Sequence, residues 1–360
     1  MILQDKRKTL IAAVLLACFF CVVFYLTTHS NNHDIKESPK PEMSENDSPA
    51  SPETITPAKT PEEEPPPKEA IRETDEEKEY VSDWVTKAMK APRVEQRIFE
   101  SKYAGGKVSY HVYTPECYDR QKERRFPVLY WLHGSGGGLD GIAQLAKYFN
   151  AAISSGRTPP MIVVFPNGLP NGMWCDSKDR KTQVESVVIR ELIPHIDGSF
   201  RTIASREGRI IEGFSMGGYG AARIGFKYHE LFRGVSILGA GPLQQELKAT
   251  PRVSPVDRAK ILREVYGNDQ KYFIAQSPWV IAGENVDALN KSSIIRMAIG
   301  SLDETLGNNQ KFHARMEELG IEHTYTKLPG VGHKPFRVLT LLGKENWKFY
   351  RASFGARGNE

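Results

Sequence analysis

One serine of the chain stands between glycines in a pattern that could make its hydroxyl a nucleophile. Residues 213–217 read Gly-Phe-Ser-Met-Gly, they follow an apolar run at 209–211, and residues 219–226 fit a helix. Gly-x-Ser-x-Gly between a buried strand and a helix is typical of a nucleophile elbow, a sharp turn that exposes the serine at the end of the strand. This context predicts Ser215 as a nucleophile, and a glycine-rich turn with a solvated serine is the alternative.

A serine hydroxyl needs a base to take its proton and a carboxylate to orient that base. Sites built on an elbow supply them in the chain order nucleophile, acid, histidine. The first apolar strand after the elbow that ends in an acid reaches Asp303, with Glu304 as a rival. Of the nine histidines, only His333 lies downstream of the acid and in a glycine-rich loop. We therefore predict Asp303 and His333 as the partners of Ser215.

An attacked carbonyl develops negative charge on its oxygen, which preplaced N–H donors must meet. One donor is normally the amide after the nucleophile, here Met216, and the other comes from the loop after an early central strand. Residues 127–132 read as such a strand, and residues 133–138 (His-Gly-Ser-Gly-Gly-Gly) as the loop. A phosphate-binding loop is excluded, because no Gly-Lys-Ser/Thr follows and the spacing is not Gly-x-Gly-x-x-Gly.

The rest of the pattern supplies the elements that must position these residues. Two strands at 94–101 and 108–114 are followed by apolar strands that alternate with amphipathic helices up to about residue 354. This alternation predicts an α/β domain with a mostly parallel central sheet and helices on both faces. The stretch between about 240 and 292 is poorly patterned, and we expect it to decide specificity; Trp279 within it could line a pocket or simply pack.

Residues 1–30 contain an uninterrupted apolar run at 10–26, preceded by three basic residues at 6–8. The run is just long enough to span a bilayer, and the positive-inside rule places the chain after it outside the cytoplasm. We predict a single transmembrane helix that anchors the chain, with a cleaved signal peptide or a lipoprotein signal at 15–18 as alternatives. The expected location is extracytoplasmic, in the periplasm or at the cell surface, with secretion as the second choice.

Residues 31–80 are rich in Pro, Glu, Ser and Thr and are predicted to form a disordered, acidic linker. They carry 15 Asp and Glu against 6 Lys and Arg, so residues 81–360, which we assign to one catalytic domain, have a net charge of about +11. Such a charge would favour acidic polysaccharides or an anionic envelope surface. No nucleic-acid motif accompanies it, so we expect mild steering and no nucleic-acid partner.

The cysteines and histidines indicate no metal site. Cys117 and Cys175 are the only cysteines after the N-terminal apolar run, and an extracytoplasmic location would permit a disulfide, so their pairing is left open. Within residues 81–360, no two cysteines and no two histidines have the spacing of zinc ligands. The chemistry predicted for Ser215 requires neither a metal nor a cofactor.

With these residues in place, the chain from about 95 to 355 resembles the esterase-D-like, feruloyl-esterase-like branch of the α/β-hydrolases. That branch includes feruloyl and acetyl-xylan-type esterases, enterochelin esterase, S-formylglutathione hydrolase and mycolyltransferases. The matching stretches follow the family's order across nearly the whole domain: 128–138 (VLYWLHGSGGG), 165–168 (FPNG), 174–177 (WCDS), 191–197 (ELIPHID), 213–221 (GFSMGGYGA), 300–303 (GSLD) and 329–333 (PGVGH).

The resemblance implies an α/β-hydrolase fold with Ser215, Asp303 and His333 as the catalytic triad. It also implies an oxyanion hole formed by the amides of Met216 and Ser135. The site residues predicted from the sequence and those of the family therefore coincide.

Four other positions bear on the resemblance. It implies that Trp174 and Asp176 lie beside the acyl or alcohol pocket, with core packing as the alternative for Trp174. Cys175 stands where the family commonly has an aromatic residue. Glu212 stands where a small residue is more usual, which leaves a buried or ion-paired carboxylate to explain.

The implied function is serine carboxylic-ester hydrolysis through an acyl-enzyme, on acyl or feruloyl esters of polysaccharides or similar extracellular esters. S-formylglutathione is disfavoured, because it is a cytosolic thioester. Alternatives are an acyltransferase that passes the acyl group to a sugar or lipid alcohol, and a siderophore esterase with the same triad. A non-catalytic surface-binding module is disfavoured because every catalytic position is present.

Overall fold

A computed structural model of the chain describes residues 84–248 and 252–355. Its eight strands form one sheet in the order β1-β2-β4-β3-β5-β6-β7-β8. The first two strands and β4 pair antiparallel, and every other neighbouring pair is parallel, as the sequence predicted. The strands are β1 Val94–Ser101, β2 Gly106–Tyr113, β3 Val128–Leu132, β4 Ile162–Pro166, β5 Arg209–Phe214, β6 Gly234–Leu238, β7 Ile294–Gly300 and β8 Thr324–Leu328.

Helices cover both faces of this sheet, because successive strand residues point to opposite sides and both sides are apolar. They are α1 Cys117–Arg120, α2 Ile142–Ser154, α3 Val184–Ser186, α4 Ile193–Ser199, α5 Met216–Lys227, α6 Pro255–Glu264, α7 Gln270–Ala275, α8 Pro278–Glu284, α9 Val286–Ser292, α10 Leu306–Glu318 and α11 Pro335–Ser353. A π-helical segment, Val187–Leu192, joins α3 to α4 within the single helix that the sequence predicted. Helices α2 and α11 pack on one face, and α5 and α10 lie on the other with the segment from α3 to α4.

The poorly patterned stretch after β6 consists of four short helices, α6 to α9. None exceeds ten residues, so none repeats an apolar face often enough to give a clear periodicity. Side-chain caps define the starts of the first two, α6 and α7. The Ser254 hydroxyl accepts a hydrogen bond from the Asp257 amide at the start of α6 (3.1 Å), and the Asp269 carboxylate accepts from two amides at the start of α7.

A polar row crosses the centre of the sheet and accounts for the unusual Glu212. Glu212, Ser236 and Arg296 lie side by side on β5, β6 and β7. The Arg296 guanidinium donates to the Glu212 carboxylate at 2.5 Å and to the Ser236 hydroxyl at 2.8 Å. The hydroxyl of Tyr350 on α11 donates to the other Glu212 oxygen at 2.8 Å. The buried carboxylate therefore ties three neighbouring strands to a helix.

The cysteines and the N-terminal predictions have separate outcomes. Cys117 and Cys175 are free thiols, so the disulfide that the sequence left open is absent. The predicted anchor and linker, residues 1–30 and 31–80, lie outside the described residues. Across 84–248 and 252–355, every helix is too short or too polar to cross a bilayer.

Removal of the Glu212 carboxylate is expected to destabilise the fold strongly. Glu212→Ala leaves the Arg296 charge buried without its counter-charge, which typically lowers the free energy of unfolding by about 3–5 kcal/mol. Urea unfolding followed by circular dichroism measures this change. The matched control is Glu212→Leu/Arg296→Met, which removes both charges and should lose less. If the free energy of unfolding of Glu212→Ala lies within about 1 kcal/mol of that of wild type, the pair has no structural role.

Candidate active site

Ser215 occupies a sharp turn directly after β5 and before α5. Its backbone has φ 61° and ψ −122°, a conformation that residues with a side chain rarely adopt. Backbone hydrogen bonds hold it: the Ser215 amide donates to the Leu238 carbonyl at 3.1 Å, and the Ser215 carbonyl accepts from the amides of Tyr219 and Gly241. The strand, turn and helix predicted from the motif are all present.

Two glycines of the motif are required by contact between backbones. A Cβ at Gly213 would lie 2.2 Å from the Gly217 carbonyl oxygen, and a Cβ at Gly217 would lie 1.9 Å from the carbonyl oxygen of Leu132 on β3. Both distances are far below van der Waals contact. The turn can therefore close only where these side chains are missing, and closure brings Ser215 next to the loop that follows β3.

Asp303 and His333 meet at the ends of β7 and β8. The His333 Nδ1 lies 2.8 Å from an Asp303 carboxylate oxygen, and both side chains are almost completely buried. The other Asp303 oxygen accepts from the amide and the hydroxyl of Thr305 at 2.9 and 2.8 Å. Burial raises the pKa of Asp303, but the hydrogen bonds from His333 and Thr305 outweigh it and leave the pKa below its ordinary value. The carboxylate is thus ionised and faces the imidazole.

The rival acid, Glu304, is placed differently. Its side chain is 42% exposed and pairs with Arg252 at 3.6 Å. The ring of Phe214 packs against the imidazole of His333, with 4.6 Å between the two ring centroids. Among the two acids that the sequence offered, the geometry favours Asp303.

A cavity of about 470 Å³ brings Ser215 and His333 together. Its volume falls within the range of small-molecule sites, roughly 300–1,000 Å³. The ends of parallel strands and the loops after them surround it, and its lining includes Trp131, Gly134, Ser135, Met173, Phe214, Arg252, Arg258, Pro335 and Phe336. A carbonyl compound that enters this cavity is exposed to the serine hydroxyl and to the imidazole.

The two predicted oxyanion donors lie beside Ser215. Ser135 lines the cavity in the loop after β3, where a Cβ on the preceding Gly134 would lie 3.3 Å from the Ser215 Cβ. Met216 is the first residue of α5, a position whose N–H has no acceptor within the helix. The positive end of the helix dipole also favours an anion there.

His133 holds the loop after β3 in place through hydrogen bonds, a role that the sequence did not reveal. Its Nε2 accepts a hydrogen bond from the Gly168 amide at 3.0 Å, and its Nδ1 donates to the Gly134 carbonyl at 2.8 Å. Only the neutral imidazole can make both bonds. Complete burial lowers the pKa of His133 to about 4, although the bond to Gly134 opposes the change.

Trp174 and Asp176 do not line the cavity, which corrects the substrate contacts that the resemblance implied. Trp174 is fully buried, packs between Gly168 and Gly220, and donates through Nε1 to the His133 carbonyl at 3.1 Å. The core-packing alternative therefore describes it. Asp176 accepts from the amide and the hydroxyl of Ser186 at 2.9 and 2.6 Å, so it ties its loop to the end of α3.

Sequence reasoning missed several residues that line the cavity, among them two arginines and a phenylalanine. Arg252 and Arg258 come from the poorly patterned stretch, and Phe336 comes from the first turn of α11. None belongs to a motif, and a single arginine in a short polar helix is usually a solvated side chain. No local signal could have found them, because only the packing of α6 and α11 brings them to the cavity.

With the site in place, comparison with known proteins identifies the class. Residues 101–357 match the family model for putative esterases, so the chain belongs to that family. An esterase of Mycobacterium tuberculosis is 28% identical over 264 residues, which cover 67% of this chain and 56% of that protein. An endo-1,4-beta-xylanase/feruloyl esterase of Xylanibacter ruminicola is 33% identical over 169 residues, 44% of this chain and 23% of that protein. The chain thus spans about half the length, or less, of these curated relatives.

Solved structures agree in fold. A ferulic acid esterase superposes with a TM-score of 0.60 at 24% identity, over 72% of this chain and 97% of that one. An S-formylglutathione hydrolase from Agrobacterium tumefaciens gives a TM-score of 0.60 at 19% identity, over 75% and 99% of the two chains. The chain has the α/β-hydrolase fold, as the sequence resemblance predicted.

The buried neutral His133 predicts a pH-dependent stability. Its pKa is about 4 in the folded chain and 6.5 when unfolded, so between these values only the unfolded chain binds the proton. The contribution of His133 to the free energy of unfolding is complete above pH 6.5. It is lost as the pH falls towards 4, which lowers the free energy of unfolding by up to about 3 kcal/mol. His133→Gln, whose amide oxygen can still accept from Gly168, should remove it. Urea unfolding at several pH values compares the two proteins, and parallel curves would contradict the assignment.

Proposed function

We propose that this chain is a serine carboxylic-ester hydrolase that acts through an acyl-enzyme. One observation carries the proposal: Ser215, on a strained turn, and His333, hydrogen-bonded to a buried Asp303, line the same cavity. Membership of the putative esterase family supports it. The triad and oxyanion roles of these residues are part of the proposal.

The mechanism follows from the chemistry of each group. The Ser215 oxygen attacks the ester carbonyl carbon while the imidazole of His333 takes the hydroxyl proton. The amides of Ser135 and Met216 donate to the oxyanion that forms. The tetrahedral intermediate then releases the alcohol, which receives the proton from His333, and Ser215 keeps the acyl group. Water repeats these steps to release the acid and restore the serine.

Asp303 holds the imidazole in the tautomer that leaves Nε2 free to accept the serine proton. Its carboxylate binds Nδ1, and the hydrogen bonds from Thr305 fix the carboxylate in turn. The positive charge that develops on the imidazole faces an ionised acid in a buried environment, where the attraction is stronger than in water.

As substrates we propose acyl or feruloyl esters linked to polysaccharides or similar extracellular esters. Two likenesses support this class: the curated relative whose name joins xylanase and feruloyl esterase, and the ferulic acid esterase of the same fold. The basic charge of residues 81–360 is consistent with acidic saccharide partners.

Loss of the serine hydroxyl is expected to abolish ester hydrolysis. On a panel of acetyl to butyryl esters and methyl ferulate, Ser215→Ala should lower kcat at least about 10³-fold, because the residual rate comes only from binding and the oxyanion hole. Asp303→Asn should lower kcat about 10⁴-fold, since the amide stabilises the wrong tautomer of His333.

The matched control is Glu304→Gln, which makes the same change at the neighbouring, half-exposed acid and should leave kcat within about threefold of wild type. Equal rates for wild type and Ser215→Ala would remove the enzyme proposal. Loss of activity in Glu304→Gln but not in Asp303→Asn would reassign the acid.

We also propose that the apolar run at 10–26 anchors the chain, with residues 81–360 outside the cytoplasm. The support is the length of that run and the three basic residues before it. In cells that produce the full chain, it should stay with the membranes after a high-salt wash and be digested by protease added to spheroplasts. Recovery in the soluble cytoplasmic fraction would overturn the proposal.

A further inference from the structure

Arg258 is a buried charged residue that borders the cavity of Ser215. It lies on α6, its residue exposure is 7%, and it belongs to the lining of the 470 Å³ cavity. Across residues 84–248 and 252–355, its guanidinium has no hydrogen-bond or ion-pair partner, and its Nε is fully buried. Among these residues, the Nε–H of this cation therefore finds no acceptor, in the lining of the cavity that also holds the proposed nucleophile.

The other buried arginines of the described residues show what is unusual here. Arg209 binds Asp197 at 2.5 Å, Arg296 binds Glu212 at 2.5 Å, and Arg223 binds Glu185. Each of these three arginines is paired with a carboxylate of the scaffold. Arg258 is the fourth, and it alone has no carboxylate partner among residues 84–248 and 252–355.

The surroundings of Arg258 do not neutralise it. Burial lowers the pKa of Arg258, and Tyr266, which is itself neutral, is the one group that opposes the change. Two further charged side chains line the same cavity: Arg252, which is 42% exposed and pairs loosely with Glu304, and the exposed Asp140. A buried cation without a counter-charge is unfavourable, so an anion that enters the cavity and reaches Arg258 gains much of the binding energy that an internal carboxylate would have supplied.

We propose that Arg258 binds a carboxylate on the ester substrate, so that this enzyme prefers anionic esters to their neutral counterparts. The planar guanidinium matches a carboxylate with two parallel, charge-assisted hydrogen bonds. This inference rests on the proposed function, because it assigns the substrate class of the same site. It makes Arg258 the residue that selects the substrate, while Ser215 and His333 perform the reaction.

The test uses pairs of esters that differ only by carboxylate against carboxamide. The acyl-side pair is 4-nitrophenyl hydrogen glutarate and 4-nitrophenyl glutaramate. The alcohol-side pair is 4-carboxyphenyl acetate and 4-carbamoylphenyl acetate. After subtraction of the uncatalysed rates, we expect wild type to favour the carboxylate ester by at least about tenfold in kcat/KM in one of the pairs, the usual scale for a charge-assisted contact.

Variants at two arginines of α6 test whether Arg258 causes the preference for the carboxylate ester. Arg258→Met should bring the ratio close to one, and Arg258→Lys, which keeps a charge but not the planar fork, should give an intermediate ratio. Because the ratio compares two esters on the same protein, a general loss of activity cancels. The matched control is Arg263→Met, an exposed arginine on α6, which should keep the wild-type ratio. A wild-type ratio near one in both pairs, or an unchanged ratio in Arg258→Met, would overturn the inference.

A second measurement does not depend on turnover. In Ser215→Ala, glutarate should raise the Tm more than the neutral glutaramide does, and this difference should vanish in Ser215→Ala/Arg258→Met. If glutarate binding requires Arg258 but ester hydrolysis does not depend on Ser215, the proposed function is refuted and the anion site is kept. If hydrolysis depends on Ser215, but wild type shows no preference for carboxylate esters and glutarate does not raise the Tm more than glutaramide does, only the anion site is refuted.

Discussion

The arrangement of the site depends on how closely the backbone turns around Ser215. Gly213 and Gly217 lie so near each other, and Gly217 so near the carbonyl of Leu132, that no side chain fits at either position. This contact fixes three things together: the strained conformation of Ser215, the direction in which α5 begins, and the approach of the loop after β3. The hydroxyl and the two predicted oxyanion amides are thus positioned by one packing constraint, before any substrate binds.

The described part of the molecule uses buried charge in two different ways. Glu212 and Arg296 join three strands, and Glu185 and Arg223 hold α3 against α5; in both pairs the opposite charges meet within the fold. Lys227 and Tyr228 also bind Glu185, and burial, which would raise the pKa of Glu185, is outweighed by its cationic partners, so that the pKa falls to about 2. Charge that serves stability is neutralised internally. The unpaired cation at the cavity is left for a partner from outside.

A division of labour follows between the sheet and the segment inserted after β6. The ends of β5, β7 and β8 carry Ser215, Asp303 and His333, the groups proposed to break the ester bond, and the parallel sheet keeps these strands in register. The segment between β6 and β7 contributes two arginines to the cavity, Arg252 before α6 and Arg258 on α6. The same fold is found in a ferulic acid esterase and in an S-formylglutathione hydrolase, so the fold alone does not define the substrate.

The sequence alone determined the fold class, the succession of strands and helices along the chain, and the candidates Ser215, Asp303 and His333. Each of these follows from a local pattern: a motif, a strand end or a glycine-rich loop. Only the tertiary structure decided the positions of Trp174 and Arg258, one in the core and one at the cavity. The same is true of the contact between Glu212 and Arg296, which pair across 84 positions of the chain. A buried and an exposed side chain look alike in a sequence, since burial is a property of packing and not of the residue itself.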